Sequence, residues 1–307
     1  MKRLPIAVPA RAAAALLALS CLLAHAQQLP AGPGAATAPL QPATVASLND
    51  SLMARATTLY SSIVKSSLRS FDCQVHPDWM KIMLTSRKGV PLDSDNAKAV
   101  LLGAVKITLH AQLKSSSTLD WQTPSDHGQP RDQAASDMLD RAHRSIEDTL
   151  EGVLRLWVPL VDGSLAESFG EDDMEVEQTA NGYIVRSKDE STERSKAKQK
   201  LPAGSQDHSV TEAFDRNLLL QRFTLVDAGS ATSLTPAFQP TPQGLLVSSF
   251  DALLQPAGVP AAEARQMHIA LTYQTVSGIQ IPGKLSVELP NVVEMDFTFD
   301  GCTVNPQ

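Results

Sequence analysis

Apolar positions recur along this chain with two periods, and the change from one to the other divides it. Leu52, Ala56, Leu59 and Ile63 follow helical spacing, with Tyr60 and Val64 widening the stripe. Ser47 and Asp50 form a capping-box-like pair ahead of them. The spacing predicts a helix to about Arg69 with one buried face. Phe71-Asp72-Cys73-Gln74-Val75 then alternates as a strand, and Pro77 fits the first turn of a short helix through Trp79, Ile82 and Met83. Val105, Ile107, Leu109, Ala111 and Leu113 alternate with Lys106, Thr108, His110 and Gln112, a half-buried strand. After a polar loop from Pro124 to Gln133, Leu139, Ile146, Leu150, Val153 and Trp157 fall on one stripe of a second long helix. It spans Ala135 to Trp157 and is ended by Pro159 and Gly163.

Beyond an acidic cluster of Glu171, Asp172, Asp173, Glu175 and Glu177, the period is two. Met174–Thr179 and Tyr183–Ser187 flank Asn181-Gly182, a hairpin signal. The charge-dense run from Arg186 to Lys200 reads as an exposed loop. Strands are predicted near 209–214, 218–226, 233–238, 245–253, 268–276, 281–289 and 292–299. Turn residues separate them, among them Asp227-Ala228-Gly229 and Ser277-Gly278. Pro282 and Pro290 are expected at strand edges, where a missing N–H is tolerated. In the last strand Val293, Met295, Phe297 and Phe299 face one way, and Glu294, Asp296 and Thr298 the other. One side of the sheet is therefore expected to be apolar and the other wet.

The N-terminus has the parts of a secretory signal over 1–26. Lys2, Arg3 and Arg11 supply positive charge, Ala12–Leu23 is apolar, and Ala24-His25-Ala26 is an A-x-A cleavage site. The apolar run is short for a membrane span, which takes about 20 residues. An uncleaved anchor is one alternative. Acylation of Cys21 is another, although Ala18 stands where a lipobox has leucine. The stretch after the cleavage site, 27–47, is rich in Ala, Pro, Gly and Gln and reads as a mobile tether. One α+β domain is expected over 48–307. The protein is thereby expected to be exported to the periplasm or cell envelope.

Export makes the cysteines informative. Cys73 and Cys302 remain after cleavage, an even pair near the two ends of the domain, and read as a disulfide clasping the first strand to the last. Loss of Lys2, Arg3 and Arg11 takes the formal charge from −7 to −10, which gives no attraction to nucleic acid. Aromatic residues, at 5%, are too few for a base-stacking or sugar-stacking surface.

Catalytic signals are weak. Ser62-Ile63-Val64-Lys65 and Ser195-Lys196-Ala197-Lys198 match S-x-x-K, but the K-T-G partner that would complete an acyl-transfer site is absent. The histidines His76, His110, His127, His143, His208 and His268 are dispersed without metal-ligand spacing. His143 falls on the apolar stripe of the second long helix and reads as a satisfied interface histidine. The acidic cluster lacks the Asp/Asn–Gly spacing of a calcium loop and reads as a solvated turn. No cofactor, metal or catalytic residue is assigned, and the protein is expected not to be an enzyme.

Two stretches resemble a known family. An amphipathic helix runs into Ser70-Phe71-Asp72-Cys73-Gln74-Val75, and a meander runs from Leu271-Thr272-Tyr273 through Ser277-Gly278 to Ile281-Pro282-Gly283-Lys284-Leu285. The layout is similar to the LolA/LolB-type envelope lipoprotein carriers and lipoprotein-sorting proteins. The resemblance implies an incomplete antiparallel β-barrel, here of about 9–11 strands, covered by two long helices. It also implies an apolar hollow that holds acyl chains. The segment Ser115–Ser187, long, helical and acidic, and the cysteine pair depart from the family's pattern.

If the sheet encloses a hollow, its expected lining includes Leu109, Leu219, Phe223, Leu225, Tyr273, Val287, Met295 and Phe297. The helix carrying Leu139, Ile146, Leu150 and Trp157 is then its lid. The same periodicity is equally that of a filled core. Two functions follow: a carrier of a lipid or lipoprotein acyl chain, or an envelope accessory module that meets a protein partner and binds no lipid. An exported hydrolase is a third.

Overall fold

The computed structural model describes residues 45–60, 68–86, 96–113, 115–123, 133–162, 164–171, 174–187 and 208–306. From Ala43 onward the chain is one compact unit. The signal segment, the tether to its last few residues, both S-x-x-K sequences and most of the 186–200 charge run lie outside the described residues.

Among the described residues twelve strands form one antiparallel sheet. In chain order they are β1 (Leu68–Pro77), β2 (Lys106–Gln112), β3 (Thr118–Gln122), β4 (Met174–Gln178), β5 (Gly182–Ser187), β6 (His208–Asp215), β7 (Leu220–Asp227), β8 (Ser230–Thr241), β9 (Gly244–Gln255), β10 (Arg265–Val276), β11 (Ile279–Leu289) and β12 (Val293–Pro306). Strands β4 to β12 form a continuous meander. Strand β12 then pairs with β1, and β2 and β3 follow outward, giving the order β3-β2-β1-β12-β11-β10-β9-β8-β7-β6-β5-β4. Among the described residues nothing pairs β3 with β4, so the sheet is open.

The helices are α1 (Val45–Leu59), α2 (Trp79–Ser86), α3 (Asn96–Gly103), α4 (Gln133–Trp157) and α5 (Ser164–Glu167). Because α4 and α5 connect the two opposite edge strands, this segment crosses a face of the sheet. Helix α4 buries Leu139, Ile146, Leu150, Val153, Leu154 and Trp157, which share one stripe of a 3.6-residue repeat. Pro159 cannot continue the helix, and the chain tightens into a 3-10 turn at Val158–Leu160.

Several expectations are corrected. Among the described residues the count is twelve strands, and the additional one is β3, whose five residues alternate between exposed and half-buried. Only α4 is long. Helix α1 ends at Leu59, and Leu68 and Arg69 already belong to β1. There Leu68, Phe71, Cys73 and Val75 bury their side chains against the core. Pro77 ends β1 rather than starting α2. Asp78 caps that helix, accepting the Lys81 N–H at 2.9 Å.

Pro282 is interior to β11, at a register shift opposite Thr272/Tyr273, so a bulge rather than an edge accommodates its missing N–H. Pro290 lies in the turn after β11. The β4–β5 turn closes from Thr179 N–H to Gly182 O at 2.8 Å, which puts Ala180-Asn181 at the tip. Gly182 is required for another reason: a Cβ there would stand 2.0 Å from Phe214 O. Ala228-Gly229 and Ser277-Gly278 form two-residue hairpin turns with positive φ at both positions.

Candidate functional site

The chemistry-bearing question is what occupies the apolar face beneath α4. Of the expected lining, Leu109, Val287, Met295 and Phe297 are buried there. The four lid residues, Leu139, Ile146, Leu150 and Trp157, are all buried in the same hydrophobic cluster. Thr149 of α4 stands 3.9 Å from the Met295 sulfur.

At its C-terminal end α4 is pinned by a relay across two strands. Trp157 Nε1–H donates to Tyr273 Oη at 2.9 Å, and Tyr273 Oη–H donates to Val247 O at 2.7 Å. Burial pushes the Tyr273 phenol above its ordinary pKa, and the indole bond opposes that in part. Near its N-terminal half, His143 stacks on Trp121 of β3, with centroids 4.9 Å apart and planes at 18°.

One apolar void of about 10 Å³ lies between α4 and the sheet, bounded by Leu109, Leu150, Trp157, Leu285 and Phe299 among others, and an open cleft of about 350 Å³ lies between Leu154, Arg155 and Val158 on one side and Gln112, Leu113 and Ser117 on the other. The void is about the smallest space that holds one water. The side chains of α4 fill the face around this void.

Of the other expected lining residues, Leu219, Phe223 and Leu225, Phe223 belongs to the same hydrophobic cluster and Leu225 packs against it. All three lie in and just before β7, with β8 and β9 between them and β10. Leu219 and Leu225 are only half-buried. This half of the sheet is covered by α1 and α5. Tyr60, just after α1, accepts from Leu220 N–H and donates to Leu218 O, both at 2.7 Å, and meets the Phe238 ring edge-on. The expected lining is therefore spread along one sheet under two sets of covering helices.

Sequence reasoning missed one buried acid. Glu212 of β6 is 2% exposed, and its Oε2 lies 2.6 Å from Ser168 Oγ. Burial, reinforced by Glu171 and Asp162, pushes its carboxyl up to about 8, and the Ser168 bond opposes the shift. The signal was present: Val210, Glu212 and Phe214 alternate on one face, and an acid stands where an apolar residue fits the pattern.

Cys73 and Cys302 are disulfide-bonded. Cys302 lies within β12 rather than after it, and the pair joins adjacent strands at a register shift between Asp72 and Gln74. The bond points to an oxidising, extracellular-type compartment. Gln274 of β10 reaches across β11 to this bulge, its Nε2 lying 3.0 Å from Phe299 O and 3.2 Å from Cys302 Sγ. Gly283 leaves room for that reach, because a Cβ there would meet Gln274 Cβ at 3.3 Å. Among the described residues no helix is long and apolar enough to cross a membrane.

The other face is wet. His76, His110 and His268 each sit beside an aspartate of the next strand: Asp300 at 3.0 Å, Asp72 at 2.6 Å and Asp251 at 2.7 Å. Lys81 of α2 reaches Asp296 at 2.8 Å, and Ser286 donates to the same carboxylate at 2.6 Å. His143 departs from expectation: its Nε2 is enclosed with no hydrogen-bond partner, and Glu147 stands 3.9 Å away.

No protein-family model, no curated protein and no solved structure matches the chain.

Proposed function

We propose that this is a non-enzymatic protein of the periplasm or cell envelope that binds a lipid or lipoprotein acyl chain between α4 and its sheet. In this reading the open sheet is a half-barrel of LolA type. Helix α4 is its cover, and the leucines of α4 occupy the acyl-chain position when cargo is absent. The observation that carries it is α4 itself, one continuous amphipathic helix crossing an open antiparallel sheet, with an apolar interface on both sides. The disulfide supports the compartment. Binding gains from apolar area withdrawn from water, about 25 cal/mol per Å² before ordering costs. Since the void is about 10 Å³, cargo enters only as α4 leaves the face.

The same void favours a second reading, an envelope accessory module that meets a protein partner and holds no lipid. Native mass spectrometry of the purified mature protein separates the two. Lipid mass that co-purifies and is lost on extraction, together with uptake of a fluorescent fatty acid, is the expected result for the carrier. Bare protein that ignores the fatty acid assigns the accessory module.

A further inference from the structure

We propose that Glu212 and Ser168 form a proton-held latch that fastens the α5 segment to the sheet and releases it when the carboxyl ionises. The argument begins with hydrogen counting. Ser168 Oγ lies within reach of two acceptors, Leu165 O at 3.2 Å and Glu212 Oε2 at 2.6 Å, and a hydroxyl carries one hydrogen. With Glu212 protonated, its O–H donates to Ser168 Oγ and the serine donates onward to Leu165 O, so every group is satisfied. With Glu212 ionised, carboxylate and carbonyl compete for the one serine hydrogen. A buried acceptor is then left without a donor, which is costly in a low-dielectric setting.

Among the described residues, the groups that face Glu212 supply no compensation. On the neighbouring strands Glu212 is opposite Val185 and Phe223. Glu171 and Asp162 face it from either side of the α5 segment, and Tyr60 faces it from the end of α1. None of these is a cation. Ionisation therefore draws the carboxylate toward water, and the element that must move to admit water is the one Ser168 belongs to.

That element is otherwise held by packing. Leu165, Ala166 and Phe169 are buried. Phe169 meets the rings of Phe214 and Tyr183, at 4.9 Å and 6.4 Å. Release of the latch uncovers the apolar half of the sheet around β5–β7. The latch stands on its own geometry and does not depend on an acyl chain being the cargo.

The direction with pH follows from the carboxyl, which in the closed segment titrates at about 8 and when released returns to the ordinary range near 4.3. Opening is least favoured in acid and grows between those values, by up to about tenfold per pH unit. Hydrogen-exchange mass spectrometry at pH 5.5 and 7.5, corrected for intrinsic exchange, should show that protection of the 161–171 segment falls with pH in the wild type. In Glu212→Gln the same segment should show no such fall. A flat wild type, or the same fall in Glu212→Gln, overturns the latch. A measurement on unaltered protein guards against a variant that does not fold. Carboxyl 13C NMR should show one glutamate titrating well above the others, and a set that all titrates in the ordinary range overturns the proposal.

Discussion

Trp157 donates its indole N–H to the Tyr273 hydroxyl at 2.9 Å, and that hydroxyl donates to Val247 O at 2.7 Å. One phenol thus ties the end of α4 to two strands of the sheet. Tyr273→Phe removes the shared group and leaves an indole N–H and a carbonyl unpaired in the interior. A loss of about 1–3 kcal/mol is expected. Trp157→Phe in the same background should cost less than it does alone, and urea unfolding of the double-mutant cycle measures the coupling.

Leu150 is 1% exposed and borders the void beneath α4. Leu150→Ala should destabilise by about 2–5 kcal/mol, because a filled interface collapses only partly around lost volume. Denaturant unfolding checks it. A loss well under that range would mean that α4 settles onto the sheet without help from its stripe.

The disulfide closes a sequence separation of 229 residues. In the chain-entropy model its removal costs about 5 kcal/mol, an upper figure. Cys73→Ser with Cys302→Ser should lower the unfolding midpoint. A non-reduced digest of the native protein should yield the two cysteine peptides as one linked species, and free thiols on both would contradict the pairing.

Asp296 receives bonds from Lys81 and Ser286. Partial burial works against its ionised form, but these bonds outweigh it and hold the carboxyl below the usual aspartate range. A depressed carboxyl stabilises the fold above its unfolded pKa, and that contribution is lost as pH falls through the folded value. Both side chains of the pair are partly solvated, so screening keeps the effect small. Asp296→Asn should cost about 0.5–1 kcal/mol at pH 7 and close to nothing in strong acid. Unfolding curves at the two pH values test the sign.

The legible parts share one property, a face that is buried on one side only. Val293, Met295, Phe297 and Phe299 alternate with polar residues because β12 has a wet side. The stripe of α4 is equally plain because its opposite face meets water. Gly229 and Gly278 mark their hairpins because the backbone there needs positive φ. By contrast β3, at the sheet edge, alternates Leu119 and Trp121 with Thr118, Asp120 and Gln122 over only five residues, a run too short to stand out from its loops. Pro282 was misplaced because a bulge is a property of two strands together, and one strand's sequence does not display its partner's register.

By itself the sequence determined the alternation of most strands, the amphipathic α4 and the expected pairing of Cys73 with Cys302. The first two are local matters, set by side-chain chemistry and backbone conformation within a few residues. Only the tertiary structure decided that β12 turns back to pair with β1, so that the two cysteines become neighbours. It also decided how the stripe of α4 seats on the sheet, with a void of about 10 Å³ beside Leu150 and Trp157. Those outcomes depend on which surfaces meet and on how volumes match across the interface, and volume complementarity between distant segments has no signature in the order of residues along one of them.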